Sequence, residues 1–143
     1  MVDVISIRAF RFPDDYDRAI LLWQHAGDGI GVGPSDQPGE IEKKLRRDPD
    51  LFLVAEDDGQ LVGTVIGGFD GRRGLIYHLA VAGTHQRQGL ASQLMQEIET
   101  RLRVRGCLKA YLLVKKGNQT AISFYEARGW GEMDHVHLYG KNL

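Results

Sequence analysis

Residues 75–92, Leu-Ile-Tyr-His-Leu-Ala-Val-Ala-Gly-Thr-His-Gln-Arg-Gln-Gly-Leu-Ala-Ser, constrain the fold more than any other stretch of the chain. Residues 75–81 are mostly apolar and rich in strand formers, a short polar turn follows, and a long helix opens near Gly89. Leu90, Leu94, Ile98 and Leu102 recur at helical spacing through that helix, and Gly106 ends it. A strand that feeds a glycine-bearing turn at a helix start makes an anion site. The first-turn N–H groups lack intrahelical acceptors and point outward with the positive end of the dipole. Gly89 allows close backbone approach, Ala91 keeps the next turn thin, and Arg87 adds a full charge. The stretch reads as a pyrophosphate cradle.

The rest of the chain places that unit in one mixed α/β domain covering residues 1–143. Residues 4–10 have strand character. Pro13 breaks it, and Asp14 or Asp15 is placed to cap a helix carrying Tyr16, Ala19, Ile20 and Trp23 on one face. Glycines at 27, 29, 31 and 33 make a loop rather than a dinucleotide fingerprint, because no strand precedes them and the spacing is wrong. A second helix is expected over residues 38–47. Strands at 51–55 and 61–66 flank Asp57, Asp58, Gly59 and Gln60, a strong hairpin signal. After strand 75–81 and helix 89–105 come a buried strand at 110–114, a short helix at 120–127 and a last strand at about 132–139. The expected order is β-α-α-β-β-β-α-β-α-β, with 75–81, 89–105 and 110–114 forming a right-handed unit whose two strands are parallel.

Charge is unevenly divided. Residues 1–70 hold 7 Lys/Arg against 14 Asp/Glu, and residues 71–143 hold 11 against 5. A basic C-terminal half suits a polyphosphorylated cofactor, and an acidic N-terminal half suits a cationic acceptor such as an amine; solvation of helix surfaces is the alternative for both. The basic residues are too sparse, and too far from exposed aromatics, for nucleic acid. The single Cys107 excludes an internal disulfide and reads as a buried thiol in a reducing compartment. With neither an export signal nor a long apolar run, a cytoplasmic location without membrane attachment is expected.

Two motifs carry a family resemblance. Gln86 to Ala91 resembles the acyl-CoA signature of the GNAT superfamily of N-acetyltransferases, [Gln/Arg]-x-x-Gly-x-[Gly/Ala]. From Asn118 the text reads Asn-Gln-Thr-Ala-Ile-Ser-Phe-Tyr-Glu-Ala-Arg-Gly-Trp, which resembles that superfamily's later signature at every fixed position. The order and separation of the motifs agree with the family, and 52–56, 63–68 and Asp70-Gly71 look most like small bacterial YpeA-type acetyltransferases. The resemblance implies a V-shaped opening between two parallel strands, held apart by a bulge near Leu79 and Ala80. Acetyl-CoA would thread it, pairing its pantetheine arm with the backbone of Leu79, Ala80 and Val81. The amides of Arg87, Gln88, Gly89, Leu90, Ala91 and Ser92 would hold the pyrophosphate, and Asn118 would bond the arm or the loop's own backbone. Tyr125 matches the family's general acid.

The acceptor amine must lose a proton before it attacks. On the lysine reference value that costs about 4.6 kcal/mol at pH 7, so a positioned base or a desolvating pocket is needed. A backbone N–H near the bulge is the expected oxyanion donor. Carboxylates used as bases by some relatives are replaced here by Leu75 and Leu113. Tyr77 and His78 on the central strand remain, as do Glu56, Asp70 and a water relay. Strand alternation expects Tyr77 with Leu79 on one face and His78 on the other. His135 and His137 alternate on the last strand and suit an acceptor pocket, but without a third ligand they do not argue for a metal. The expectation is direct acetyl transfer to an amine in a ternary complex, by a monomer or homodimer. The alternative is a non-catalytic acyl-CoA-binding sensor. A phosphate-loop nucleotidase is excluded because Lys-Ser/Thr does not follow Gly89.

Overall fold

The computed structural model describes residues 5–27 and 30–143. Val4, at the start of the first expected strand, and Asp28 and Gly29 in the glycine loop lie outside them. The described chain forms two compact units, Met1–Leu113 and Val114–Leu143.

The first unit holds β1 (Ile5–Ala9), α1 (Tyr16–Gln24), α2 (Pro38–Arg47), β2 (Phe52–Asp57), β3 (Gln60–Phe69), β4 (Gly74–Val81), α3 (Leu90–Val104) and β5 (Ala110–Leu112). Single 3-10 turns at Pro34–Asp36 and Gly83–His85 precede α2 and α3. The sheet runs β1-β2-β3-β4-β5, antiparallel except for β4 against β5. The β2–β3 hairpin closes through Asp58 (φ 50°) and Gly59 (φ 80°), with Asp57 opposite Gln60. Positive φ at both central residues is the backbone that matches the strands' twist.

Each sheet face buries a helical layer. Ala19, Leu22 and Trp23 of α1 and Ile41 of α2 pack with Phe10, Phe52, Val54, Ile66 and Ala80. Phe10 stacks on Phe52 at 4.2 Å. On the other face α3 buries Leu90, Leu94, Met95, Ile98 and Leu102. A Cβ at Gly63 would lie 2.9 Å from Leu94 Cδ1, and one at Gly67 2.9 Å from Ile98 Cγ1. The helix therefore seats directly on the backbone of β3. It ends in a Schellman motif: Gly106 N–H donates to Arg103 O and Cys107 N–H to Leu102 O.

Several expectations differ from the structure: β5, expected as a buried strand over 110–114, ends at Leu112 and is only half-buried, with Leu113 exposed. Asp15 sits at the N-cap of α1, but its side chain makes no capping bond. Its fully buried carboxylate instead accepts from Arg8 Nη1 at 2.7 Å, Arg8 Nη2 at 3.0 Å, Arg18 Nη2 at 2.5 Å and the Arg11 amide at 2.7 Å. Two guanidiniums and the Arg11 amide together occupy the oxygens that a cap would use. Cys107 is partly exposed rather than buried.

The second unit differs from expectation as well. It contains α4 (Gln119–Glu126), and the strand expected at 132–139 is not formed. Val136, Leu138 and Tyr139 are exposed. Alternation marks strand character, but a strand exists only where a neighbour completes its ladder. The sheet among the described residues therefore has five strands, ending at β5.

Candidate functional site

The two flanks of β4 differ. Against β3 it pairs from Gly74↔Phe69 to Val81↔Gly63. Against β5 it pairs only at Gly74↔Ala110, Leu75↔Tyr111 and Ile76↔Leu112. From Tyr77 onward, β4 has no described strand on its β5 side. Two parallel strands joined at one end and parted at the other leave backbone polar groups along the parted edge open to water or to a ligand. Leu79, Ala80 and Val81 lie along that free edge.

The opening leads to the start of α3. Along the approach the sign of φ alternates: Gln86 is at −71°, Arg87 at +64° and Gly89 at +79°. Left-handed residues in a turn that opens a helix are the backbone from which anion nests are built, and we call this turn the nest. A left-handed residue other than glycine at 89 would be strained, although no protein atom lies within 4 Å of a Cβ there. The constraint is conformational, and the space beyond is open. Leu90, Ala91 and Ser92 form the first turn of α3, which carries no acidic side chain. Arg87 and Gln88 are exposed.

A contact that sequence spacing does not reveal anchors this loop. His85 Nε2 lies 2.6 Å from Asp57 Oδ2, and its Nδ1 2.7 Å from Thr84 Oγ1. Gln86 Nε2 donates to Val81 O at 3.2 Å. The loop is thus fastened to the β2–β3 hairpin and to the end of β4.

Between the opening's two ends lies a bulge. The register steps from Ile66↔Tyr77 to Thr64↔Ala80, which leaves His78 and Leu79 opposite Val65. It was expected near Leu79 and Ala80 and sits one residue earlier. His78 takes φ +53°. Trp23 Nε1 donates to Thr64 Oγ1 at 2.9 Å, and Thr64 Oγ1 donates to His78 O at 2.8 Å. The Trp23 and His78 rings meet edge to face at 4.5 Å. His78 Nε2 lies 3.0 Å from Asp36 Oδ1. Asp36, which belongs to no sequence motif, is buried. It also accepts from the Gly33 amide at 2.9 Å.

The bulge overturns the expected alternation. Tyr77 pairs with Ile66, whose side chain belongs to the α1–α2 layer, and His78 touches Trp23 and Asp36 in the same layer. The two rings stand 5.5 Å apart on one face, because the left-handed residue cancels one step of the pleat. Desolvation, then the charges of Asp48 and Asp36, push the Tyr77 phenol above its usual range. Glu56 is held by Arg8 at 2.6 Å, and Asp70 accepts from the Arg72 and Arg73 amides at 2.7 and 2.8 Å. These bonds keep both carboxyls below the usual range and weaken them as bases.

In the second unit, Asn118 Oδ1 accepts from Ala121 N at 3.2 Å and caps α4. The helix ends in another Schellman motif, with Gly129 N–H to Glu126 O and Trp130 N–H to Tyr125 O. That turn brings the Trp130 ring to 6.4 Å from Tyr125. Desolvation pushes the Tyr125 phenol up, so it keeps its proton at neutral pH. His135 and His137 are exposed and share no strand face.

A family model for the acetyltransferase (GNAT) family matches residues 12–130. The chain is 41% identical over 140 residues to acetyltransferase SG1711 of Sodalis glossinidius, covering 97% of this chain and 96% of that one. Acetyltransferase ECA0875 of Pectobacterium atrosepticum is likewise 41% identical, with the same coverage. Among solved structures, Ard1 from Thermoplasma volcanium superposes with a TM-score of 0.75 at 26% identity, over 87% of this chain and 81% of that one. The PaiA N-acetyltransferase of Thermoplasma acidophilum, solved with coenzyme A, gives 0.77 at 18% identity, over 87% and 88%. At that identity the likeness concerns the fold.

Proposed function

Because the chain belongs to the acetyltransferase (GNAT) family, we propose that it transfers the acetyl group of acetyl-CoA directly to a primary amine of a small molecule or protein. The observation that carries this reading is the parting of β4 from β5 after Ile76, with the α3 nest beyond it. Backbone of Leu79, Ala80 and Val81 pairs with the pantetheine arm as an added strand would. Amides from Arg87 to Ser92, with the Arg87 guanidinium, hold the pyrophosphate. Asn118 caps the helix that carries Tyr125. The family model spans both compact units, which supports one acetyltransferase domain. No described helix is long and apolar enough to cross a membrane.

The reaction forms a C–N bond and breaks a C–S bond. The amine attacks the thioester carbonyl, a backbone N–H at the bulge stabilises the oxyanion, and collapse expels the CoA thiolate. Of the two base candidates, His78 is better suited. With Nε2–H donating to Asp36, its Nδ1 lone pair is free to take the amine proton, and Asp36 supports the resulting charge. Tyr77, its phenol protonated at neutral pH, serves as a donor. Tyr125 protonates the thiolate and regains its proton from solvent.

Thiol release from acetyl-CoA, assayed across an amine library, tests the reading. Amine-dependent release with matching N-acetyl product supports it. Stoichiometric CoA binding without turnover on any amine replaces it with the sensor alternative. His78→Gln is expected to lower kcat/KM by roughly 100-fold or more. A loss below tenfold transfers the proton to water.

A further inference from the structure

Beside the bulge, on the side away from the α3 nest, lies an open groove of about 440 Å³. Leu75, Tyr77 and Tyr111 line it from β4 and β5, and Lys44, Arg47 and Arg73 surround them. Tyr77 is also the residue at which β4 leaves β5, so the groove abuts the end of the opening opposite the nest.

The charges around it are unequally committed. Asp48 is buried, 2.7 Å from Lys44 Nζ and 3.3 Å from Arg105 Nη1. Lys44 donates further to Gly67 O. The Asp70 carboxylate is occupied by the amides of its own turn. Arg47 donates one bond to Phe69 O at 2.8 Å, with its Nε 3.7 Å from Asp48, and Arg73 donates one to Arg72 O at 3.2 Å. Each guanidinium has five N–H donors, so both retain donors for a ligand. The carboxylate excess of residues 1–70 does not govern this groove, because α2 supplies two of its three cations.

Resting on the acetyl-transfer reading, we propose that this groove receives the acceptor and that Arg47 and Arg73 select amines bearing an anionic group, a carboxylate or a phosphate. The amine lies toward Tyr77 and His78, the chain of the acceptor crosses the Tyr77 and Tyr111 rings, and the anion meets the guanidiniums. Planar guanidinium suits both oxyanions, through two parallel bonds. An acceptor with a second positive charge is disfavoured by the same groups.

Matched acceptors test this: 6-aminohexanoate against 6-aminohexanamide, glycyl-phenylalanine against its amide, and 3-aminopropyl phosphate against 3-aminopropanol. The expected result is a preference of about tenfold or more in kcat/KM for the anionic member of at least one pair, expressed in KM. The responding pair separates carboxylate from phosphate. Arg47→Gln and Arg73→Gln should each shrink the preference several-fold, whereas Arg46→Gln, on an exposed residue paired with Glu42, should leave it intact. Calorimetry on the CoA-loaded protein reads the same preference in binding. Preference in binding without turnover keeps this inference and removes the transfer reading. Turnover without preference does the reverse. Neutral members equal to anionic ones in every pair, or a preference that survives the Arg47→Gln/Arg73→Gln double variant, overturns it.

Discussion

Each of the two compact units is stabilised internally by different means. Met1–Leu113 has a sheet with buried layers on both faces, and its nest, bulge and groove are set into that frame. In Val114–Leu143 no residue is buried; α4 is shaped by an asparagine cap and a Schellman turn, and Tyr125 is steadied by its neighbours in sequence. The contrast teaches a division of labour. Tertiary packing positions the groups assigned to binding and to amine activation, while local turn chemistry shapes the element assigned to the leaving group.

The largest expected effect tests the second unit. Tyr125→Phe should lower kcat by roughly 10²- to 10⁴-fold while leaving acetyl-CoA affinity and Tm unchanged, as steady-state kinetics and calorimetry would show. Full kcat in the variant would dissolve the division. Next comes packing. Leu94→Ala should destabilise by about 2–5 kcal/mol in urea unfolding, because Leu94 is wholly buried against β3. Ile122→Ala, on a half-buried position of α4, should cost about 1 kcal/mol or less. Equal costs would mean that both units are packed alike.

Gly89→Glu places a left-handed penalty of about 1–2 kcal/mol and a negative charge at the nest. Affinity for CoA should fall on the order of 100-fold with the fold intact, and Gly89→Ala should lose only the conformational part. Unchanged CoA affinity in Gly89→Glu would remove the nest from cofactor binding.

The smallest effect concerns acid stability of the first unit. Burial acts to raise the Asp15 carboxyl, but the Arg8 bonds, the Arg11 amide and Arg18 outweigh it and hold it below the usual range. Arg105 does the same for Asp50. A carboxyl depressed in the folded state leaves the unfolded chain binding more protons. Its stabilisation is therefore full above the unfolded value near pH 4 and is lost as pH falls through the folded one. Tm should drop as pH falls below about 4, and Asp15→Asn should flatten that drop. An unaltered pH slope in the variant would show that the Arg8 cluster does not set it.

Particular residues show which features were legible in advance. The α3 register at Leu90, Leu94, Ile98 and Leu102, the hairpin at Asp58 and Gly59, and the glycine at the mouth of α3 all follow from periodicity and turn chemistry. Those are local forces. The missing last strand shows the limit, since His135 to Tyr139 alternate correctly and still form no ladder.

The sequence alone carried the family resemblance, the order of elements up to α4 and the glycine turn at the mouth of α3, because short-range hydrogen bonding and helical or strand periods specify each. Tertiary structure alone decided that Tyr77 and His78 share a face, that Asp36 reaches His78 across 42 residues, that His85 fastens the nest to Asp57, and that Arg47 and Arg73 border one groove. A one-residue bulge reverses every side chain that depends on it, and contacts between residues far apart in the chain exist only once the sheet has been assembled.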